Sequence, residues 1–343
     1  MASSEQNSSG LPVADFLPLG AIIQSFRVGG VNIVQNFSTS ELYEQYNEPY
    51  FGETIGRVAN RISGAKIEDL NGKSYPLPAN NGPNCLHGGA SGWGKKVWDM
   101  SEPMTNSDGS VSTTFRYSSK DGDEGFPGDT NTTVIYTQSI ETCPLGETVS
   151  VLEMEYEVEL VGDLEETVIG MTNHSYFNLS GAKSIENTQV TLATDKHLPV
   201  DDDLIPTGEI TPYPGGFAHS TFTLGPEEPD IDHCFILNED PSSVASDTRS
   251  NEMQKIASFF HPDSKIHLEV YSTEPAFQFY TGKFIDVPAV GDHPARGPRS
   301  GFCVEPSRYV NAVNTAKWKR MAVLKKGEKY GSRSKYCAWK ARG

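Results

Sequence analysis

Between Leu152 and Leu160 the chain alternates without a break. Leu152, Met154, Tyr156, Val158 and Leu160 are apolar, whereas Glu153, Glu155, Glu157 and Glu159 are acidic. Only an extended strand puts all five apolar residues on one face and all four glutamates on the other. Four carboxylates at this spacing could be read as a metal site, but they point together into water, and a solvated strand face is the simpler reading. The period of two recurs along the chain. It predicts strands over Ala21–Val28, Val31–Phe37, Thr113–Tyr117, Thr132–Thr137, Thr167–Asn173, Gln189–Ala193, Lys265–Tyr271, Ala276–Tyr280 and Phe302–Glu305. Asn71-Gly72, between Lys66–Leu70 and Lys73–Leu77, predicts a hairpin, because Asn-Gly accepts the positive φ angles of a type I′ turn. Helical periodicity is nearly absent. One short helix is expected over Ser38–Gln45, capped by Ser38 or Ser40.

Many short strands with turn signals between them argue for an all-β architecture, a large antiparallel β-sandwich. The 343 residues contain 32 glycines and 22 prolines, and these cluster only in stretches short enough to be loops. The expectation is therefore a single domain over 1–343, with 1–15 as a flexible N-terminal stretch. The net charge of −17 makes nucleic acid and anionic membranes poor partners. Ten Lys/Arg against one Glu lie between Lys317 and Arg342. A basic arm would fit that count, but Val323-Leu324 and Tyr330 among the charges favour a final strand with a basic, solvated face. The five cysteines show no CxxC or zinc spacing, and dispersed free thiols suit a reducing compartment. The polar start, MASSEQNSSG, has no signal-peptide pattern, and no apolar run reaches membrane-spanning length. Cytoplasm is the expected location.

Four polar clusters carry chemistry. Gly56–Ile62 contains Asn60 and Arg61, whose donors and carbonyl suit sugar hydroxyls; an exposed strand end would also account for them. In Asn80–Gly89, His87 precedes two glycines that could let backbone approach a ligand, or could simply form a turn. Trp93 and Trp98 follow, residues that stack on sugars but more often fill cores. Asn173–Leu179 places His174 at the end of an apolar strand, either as a satisfied core histidine or as a functional one. Gly301–Pro306 ends an apolar strand on Glu305, a carboxylate that is costly to bury unless paired or used. A strand-end glutamate emerging into water remains the alternative.

Taken in order, these segments resemble the aldose 1-epimerase family, also called galactose mutarotases. The resemblance runs from about Gly20 to Trp339. It is carried by Gly56–Ile62, Leu86–Gly89 with Gly92-Trp93 and Trp98, Asn173–Leu179, His197–Ile210, Asp232-His233, Thr273–Gly282 and Cys303–Glu305, and Val323–Tyr336 resembles the family's last strand. The resemblance implies a twisted antiparallel β-sandwich with an open cleft on one sheet. It implies Glu305 as general base and His174 as general acid. It implies Arg61, His87 and Asp232 as ligands of the sugar hydroxyls, with Asn60 and Gln278 as further cleft residues. The implied partner is a small aldose, bound by a monomer or homodimer without metal or other cofactor. A carboxylate near His174, either Glu305 or Asp232, is expected to favour its imidazolium form. Two other activities are compatible with the same segments. A hexose-6-phosphate 1-epimerase would need cations for phosphate, for which Arg57, Arg296, Arg299 and Arg308 are available. A non-catalytic carbohydrate-binding protein would keep the fold without the reaction. The segment after Glu305, the Cys234 after Asp232-His233, and Asn32–Glu48 depart from the family pattern, which leaves the preferred sugar open.

Overall fold

A computed structural model describes residues 11–143, 146–217 and 219–342. Its frame is a ten-stranded antiparallel sheet. From one edge the order is Met104–Thr105, Val111–Ser119, Asp129–Thr142, Thr148–Val161, Lys329–Lys340, Ile266–Ser272, Gln254–His261, Gln189–Leu192 and Thr221–Thr223, with Asp99–Met100 also on Val111–Ser119. A second sheet has six strands: Tyr176–Phe177, Phe302–Ser307, Ala276–Tyr280, Asp232–Ile236, Lys196–His197 and Thr211–Pro212. The apolar faces of the two sheets meet in one core. Phe259 of the larger sheet stacks on Phe302 of the smaller at 4.3 Å, and Tyr336 meets Phe177 edge-on at 5.0 Å. This is the expected sandwich.

The alternating strand grows to Thr148–Val161, with Leu152 through Leu160 buried as one apolar row. Its glutamates do not simply face water. Lys329 reaches Glu157 at 2.9 Å and Glu159 at 2.8 Å, Arg249 reaches Glu157 at 2.6 Å, and Arg333 lies 3.6 Å from Glu153. The basic tail is the cause: Lys329–Lys340 is a strand registered directly against this one. The tail is thus a central strand rather than an arm, and its cations answer the acidic row.

The hairpin forms as expected, with Asn71 and Gly72 at φ 49° and 74°. Other expectations are corrected. The helix runs Ser40–Tyr46 and its cap is Thr39, whose Oγ1 accepts from the Leu42 N–H. The strand expected over Val31–Phe37 stops at Asn32, because the Asn32 side-chain Oδ1 accepts from both Phe26 and Val34 N–H and closes a turn. Thr167–Asn173 divides into Glu166–Val168 and Thr172–Asn173, with Gly170 between them bonded to Ala59 and Arg57. Residues 1–10 of the expected flexible stretch lie outside the described residues. Residues 11–15 are packed: Leu11, Val13 and Ala14 are buried, and the Gln138 side chain accepts from the backbone of Val13 and Ala14. The five cysteines are free thiols. Among the described residues, no helix is long and apolar enough to cross a membrane.

Candidate active site

The two faces of the six-stranded sheet differ. Phe235, Phe277, Phe279, Phe302 and Val304 point into the sandwich core. The alternate residues, Asp232, Gln278, Tyr280 and Glu305, line a cleft of about 580 Å³ on the other side. Register brings them together: Gln278 is paired with Glu305, and Asp232 with Tyr280. The period of two that builds the core therefore also aims the polar groups. The volume suits a small ligand.

His174 arrives from a different element. It follows Thr172–Asn173, donates its N–H to the Glu53 carbonyl at 2.8 Å and accepts from Gly52 N–H at 3.0 Å. These bonds aim its ring at the sheet, where Nε2 lies 3.5 Å from Glu305 Oε2. His87 stands edge-on to His174, with centroids 5.0 Å apart. It follows the short pairing of Arg61–Ile62 with Cys85–Leu86 and has φ 52°. The two glycines after it serve packing instead of ligand approach. A Cβ on Gly88 would sit 1.9 Å from the Gly56 carbonyl oxygen, and one on Gly89 2.3 Å from a Glu124 oxygen.

His87 Nδ1 accepts from the Asn60 N–H at 3.2 Å, so the neutral ring carries its proton on Nε2 and presents a donor to the cleft. This decides against a metal reading of His87, His174 and Glu305, although their ligand atoms lie within 4.8 Å of one another. A ligating imidazole needs the lone pair that His87 has turned towards Asn60. Arg61 is held by Asn81 Oδ1 at 3.0 Å, and Gln278 Nε2 donates to Asp232 Oδ1 at 2.6 Å. Gln278 Oε1 is left as a buried acceptor without a partner, and a ligand hydroxyl is what such an atom lacks.

All seven residues singled out from the sequence line this one cleft: Asn60, Arg61, His87, His174, Asp232, Gln278 and Glu305. Sequence reasoning missed others. Tyr50 packs at 4.8 Å from His87 and 5.9 Å from His174, under the Lys95 ammonium at 4.6 Å. No periodicity marks Tyr50, which is placed by a turn at φ 67°. Cys303 was legible as part of its motif, but its contact with His174 Nδ1 at 3.5 Å was not. Trp93 and Trp98 are buried core residues away from the cleft.

The imidazolium expectation is corrected as well. Burial pushes Glu305 well above the usual carboxylate range, helped by the charge of Asp232. Burial pulls His174 down to about 3. Loss of hydration outweighs the attraction between the partners, so both tend to their neutral forms. The four arginines considered for a phosphate are engaged outside the cleft. Arg57 is tied to Ser119 and the Pro127 carbonyl, Arg299 to the carbonyls of Gly225 and Pro229, and Arg308 to Glu274 at 3.1 Å. Arg296 lies over the Phe37 ring at 4.3 Å. None of the four lines the cleft. Among the described lining residues the one Lys or Arg is Arg61, facing Glu48, Asp202, Asp203, Asp232, Asp286 and Glu305.

The aldose 1-epimerase family profile matches residues 7–337 of the chain. The chain belongs to the aldose 1-epimerase family. It is 39% identical over 309 residues to the galactose mutarotase of Sus scrofa, covering 87% of this chain and 81% of that one. It is 36% identical over 323 residues to the bifunctional protein gal10 of Schizosaccharomyces pombe, covering 92% of this chain but 42% of that one. The chain thus spans less than half the length of that bifunctional relative. Among solved structures, an aldose epimerase homologue from C. elegans superposes with a TM-score of 0.79 at 25% identity, over 96% of each chain. A galactose 1-epimerase from Lactobacillus acidophilus has the same fold, with a TM-score of 0.77. The epimerase family's members are isomerases, and their fold is the sandwich described above.

Proposed function

We propose that this protein is an aldose 1-epimerase that interconverts the α and β anomers of free hexoses such as glucose and galactose. Glu305 is the base and His174 the acid. The observation that carries the reading is the placement of these two side chains, 3.5 Å apart and almost fully buried, in a cleft that mixes polar and apolar lining residues. Arg61, His87, Asp232 and Gln278 surround them with donors and acceptors for hydroxyls, and Asn60 supports His87.

Ring opening moves two protons. Glu305 takes the proton of O1 as C1=O1 forms and the C1–O5 bond breaks. His174 gives its Nε2 proton to O5. The proton that His174 gives comes from the Glu305 carboxyl across the 3.5 Å contact, so the pair passes through carboxylate plus imidazolium and returns to carboxyl plus imidazole, with the total number of protons on sugar and enzyme unchanged. The neutral pair favoured by burial is therefore the pair that accompanies the open-chain aldehyde. Rotation about C1–C2 and the reverse proton transfers close the ring on the other face. Each positioned group contributes about 10²–10⁴-fold, and no step calls for a metal or cofactor.

Charge favours an unphosphorylated sugar. A phosphate entering this cleft would meet a predominantly acidic lining. The names of the mammalian relatives make galactose the first sugar to try, and five free thiols are consistent with a reducing cytoplasm. Polarimetry of freshly dissolved α-galactose, α-glucose and glucose 6-phosphate tests the reading. Catalysed relaxation of the free hexoses, with the phosphate ester at least tenfold slower, is expected. Catalysis confined to the phosphate ester would overturn the substrate, and binding without catalysis would overturn the reaction.

A further inference from the structure

The cycle above places a demand on the far side of the His174 ring. Nε2 faces Glu305 and must be able to give and to take back one proton. When Nε2 is bare, the ring's remaining proton has to sit on Nδ1. The atom waiting there is the Cys303 sulfur, 3.5 Å away. Cys303 is fully buried on the same strand as Glu305, two residues before it, and so on the same face. The groups packed around His174 are Tyr50, His87, Tyr176, Cys303 and Glu305.

We propose that Cys303 is a positioning residue for His174, whose thiol accepts a hydrogen bond from Nδ1–H and holds the neutral ring with its Nε2 lone pair towards Glu305 and the sugar. This rests on the reading of His174 as the acid. A thiol fits the role because it is uncharged and a weak acceptor. Burial pushes the thiol well up, so it keeps its proton. A carboxylate in the same place would also fix the tautomer, but would stabilise the imidazolium and weaken it as an acid towards the feebly basic O5. The thiol orients the ring without that cost.

The test is nitrogen-15 NMR of the His174 ring in the intact, sugar-free protein near neutral pH, together with mutarotation kinetics. The expected spectrum has a protonated Nδ1 and an unprotonated Nε2. Cys303→Ser, which keeps a neutral acceptor, should preserve the tautomer and stay within about threefold of the wild-type kcat. Cys303→Ala should mix the tautomers and lower kcat about tenfold, the equivalent of one modest hydrogen bond, with KM unchanged. A wild-type ring protonated on Nε2 overturns the proposal whatever the kinetics. So does a Cys303→Ala protein with unchanged ring shifts, or one whose loss is confined to KM. His174→Asn separates the two readings. Full activity in that variant would remove His174 as the acid, while the wild-type spectrum still decides the tautomer.

Discussion

Two strands of this molecule use the same geometry for different ends. Thr148–Val161 alternates between a buried apolar row and a row of partly exposed glutamates. Phe302–Ser307 is buried at all six positions, and one of them is a glutamate. In the first strand, carboxylates are kept at the surface and answered by Arg249, Lys329 and Arg333. In the second, the ion-pair partner of Glu305 among the described residues is a neutral-leaning histidine, His174. Acidic residues of the first kind tolerate one another in water. A carboxylate of the second kind costs stability, and so marks the place where the fold is serving chemistry.

Replacing Glu305 by Gln should break the comparison most visibly. Mutarotation followed by polarimetry should fall about 10²–10⁴-fold. Stability should not fall with it. Glu305 titrates above its unfolded value, so its contribution is fully present below that value and is lost as pH rises through the native one. Glutamine carries no such loss. The melting temperature of the variant should therefore match or exceed the wild type, with the gap widening towards alkaline pH. An active variant would return Glu305 to the company of the surface glutamates.

The opposite outcome is expected from the apolar row. Leu152 is fully buried between the sheets, and Leu152→Ala should cost about 2–5 kcal/mol in denaturant unfolding. The kcat of the folded fraction should stay unchanged. A large activity loss without a stability loss would contradict the separation of core face and cleft face.

The two strands also explain what could be read in advance. Where one face is wet, the period of two is written in the sequence, and the strand from Thr148, the hairpin at Asn71-Gly72 and the sandwich class were all legible. Phe302–Ser307 is covered on both faces, so its pattern announces a strand without saying which side carries function. Glu305 and His174 were each ambiguous by residue chemistry, and only the ordered resemblance around them suggested a paired acid–base role. What no pattern revealed depends on distant segments. Tyr50 reaches the histidines from a turn, and Cys303 meets His174 across 129 residues of chain. Burial works against the charged form expected of His174, because hydration lost in the fold is invisible in the sequence. Single-residue details such as the Thr39 cap were settled by local hydrogen bonds.

Acid should discriminate between the regions less sharply. Burial lowers His87 well below its usual range, His174 to about 3 and His233 to about 4. The unfolded chain takes up these protons below pH ~6.5, whereas the native chain does so only at lower pH. Stability therefore falls as pH drops through that window. Glu53, raised to about 7 by burial, acts in the other direction and loses its contribution as pH rises from its unfolded value towards 7. In thermal melts, His87→Asn should reduce the drop in melting temperature between pH 7 and pH 5. An unchanged drop would mean that His87 is protonated in the native protein.

The smallest effect should come from the surface row itself. Glu155 is paired with Arg249 at 3.2 Å, but Arg249 also holds Asp247 and Glu157, each at 2.6 Å. Glu155→Gln therefore leaves the arginine satisfied, and an exposed pair of this kind is worth about 0–1 kcal/mol. The loss should lie below ~0.5 kcal/mol in denaturant unfolding at low salt, shrink further as salt is added, and leave mutarotation unchanged. A loss of several kcal/mol would mean that the acidic row and its cations act as one cooperative network. The outer face would then be as specific in its demands as the cleft, and the contrast between the two strands would have to be redrawn around pairing instead of exposure.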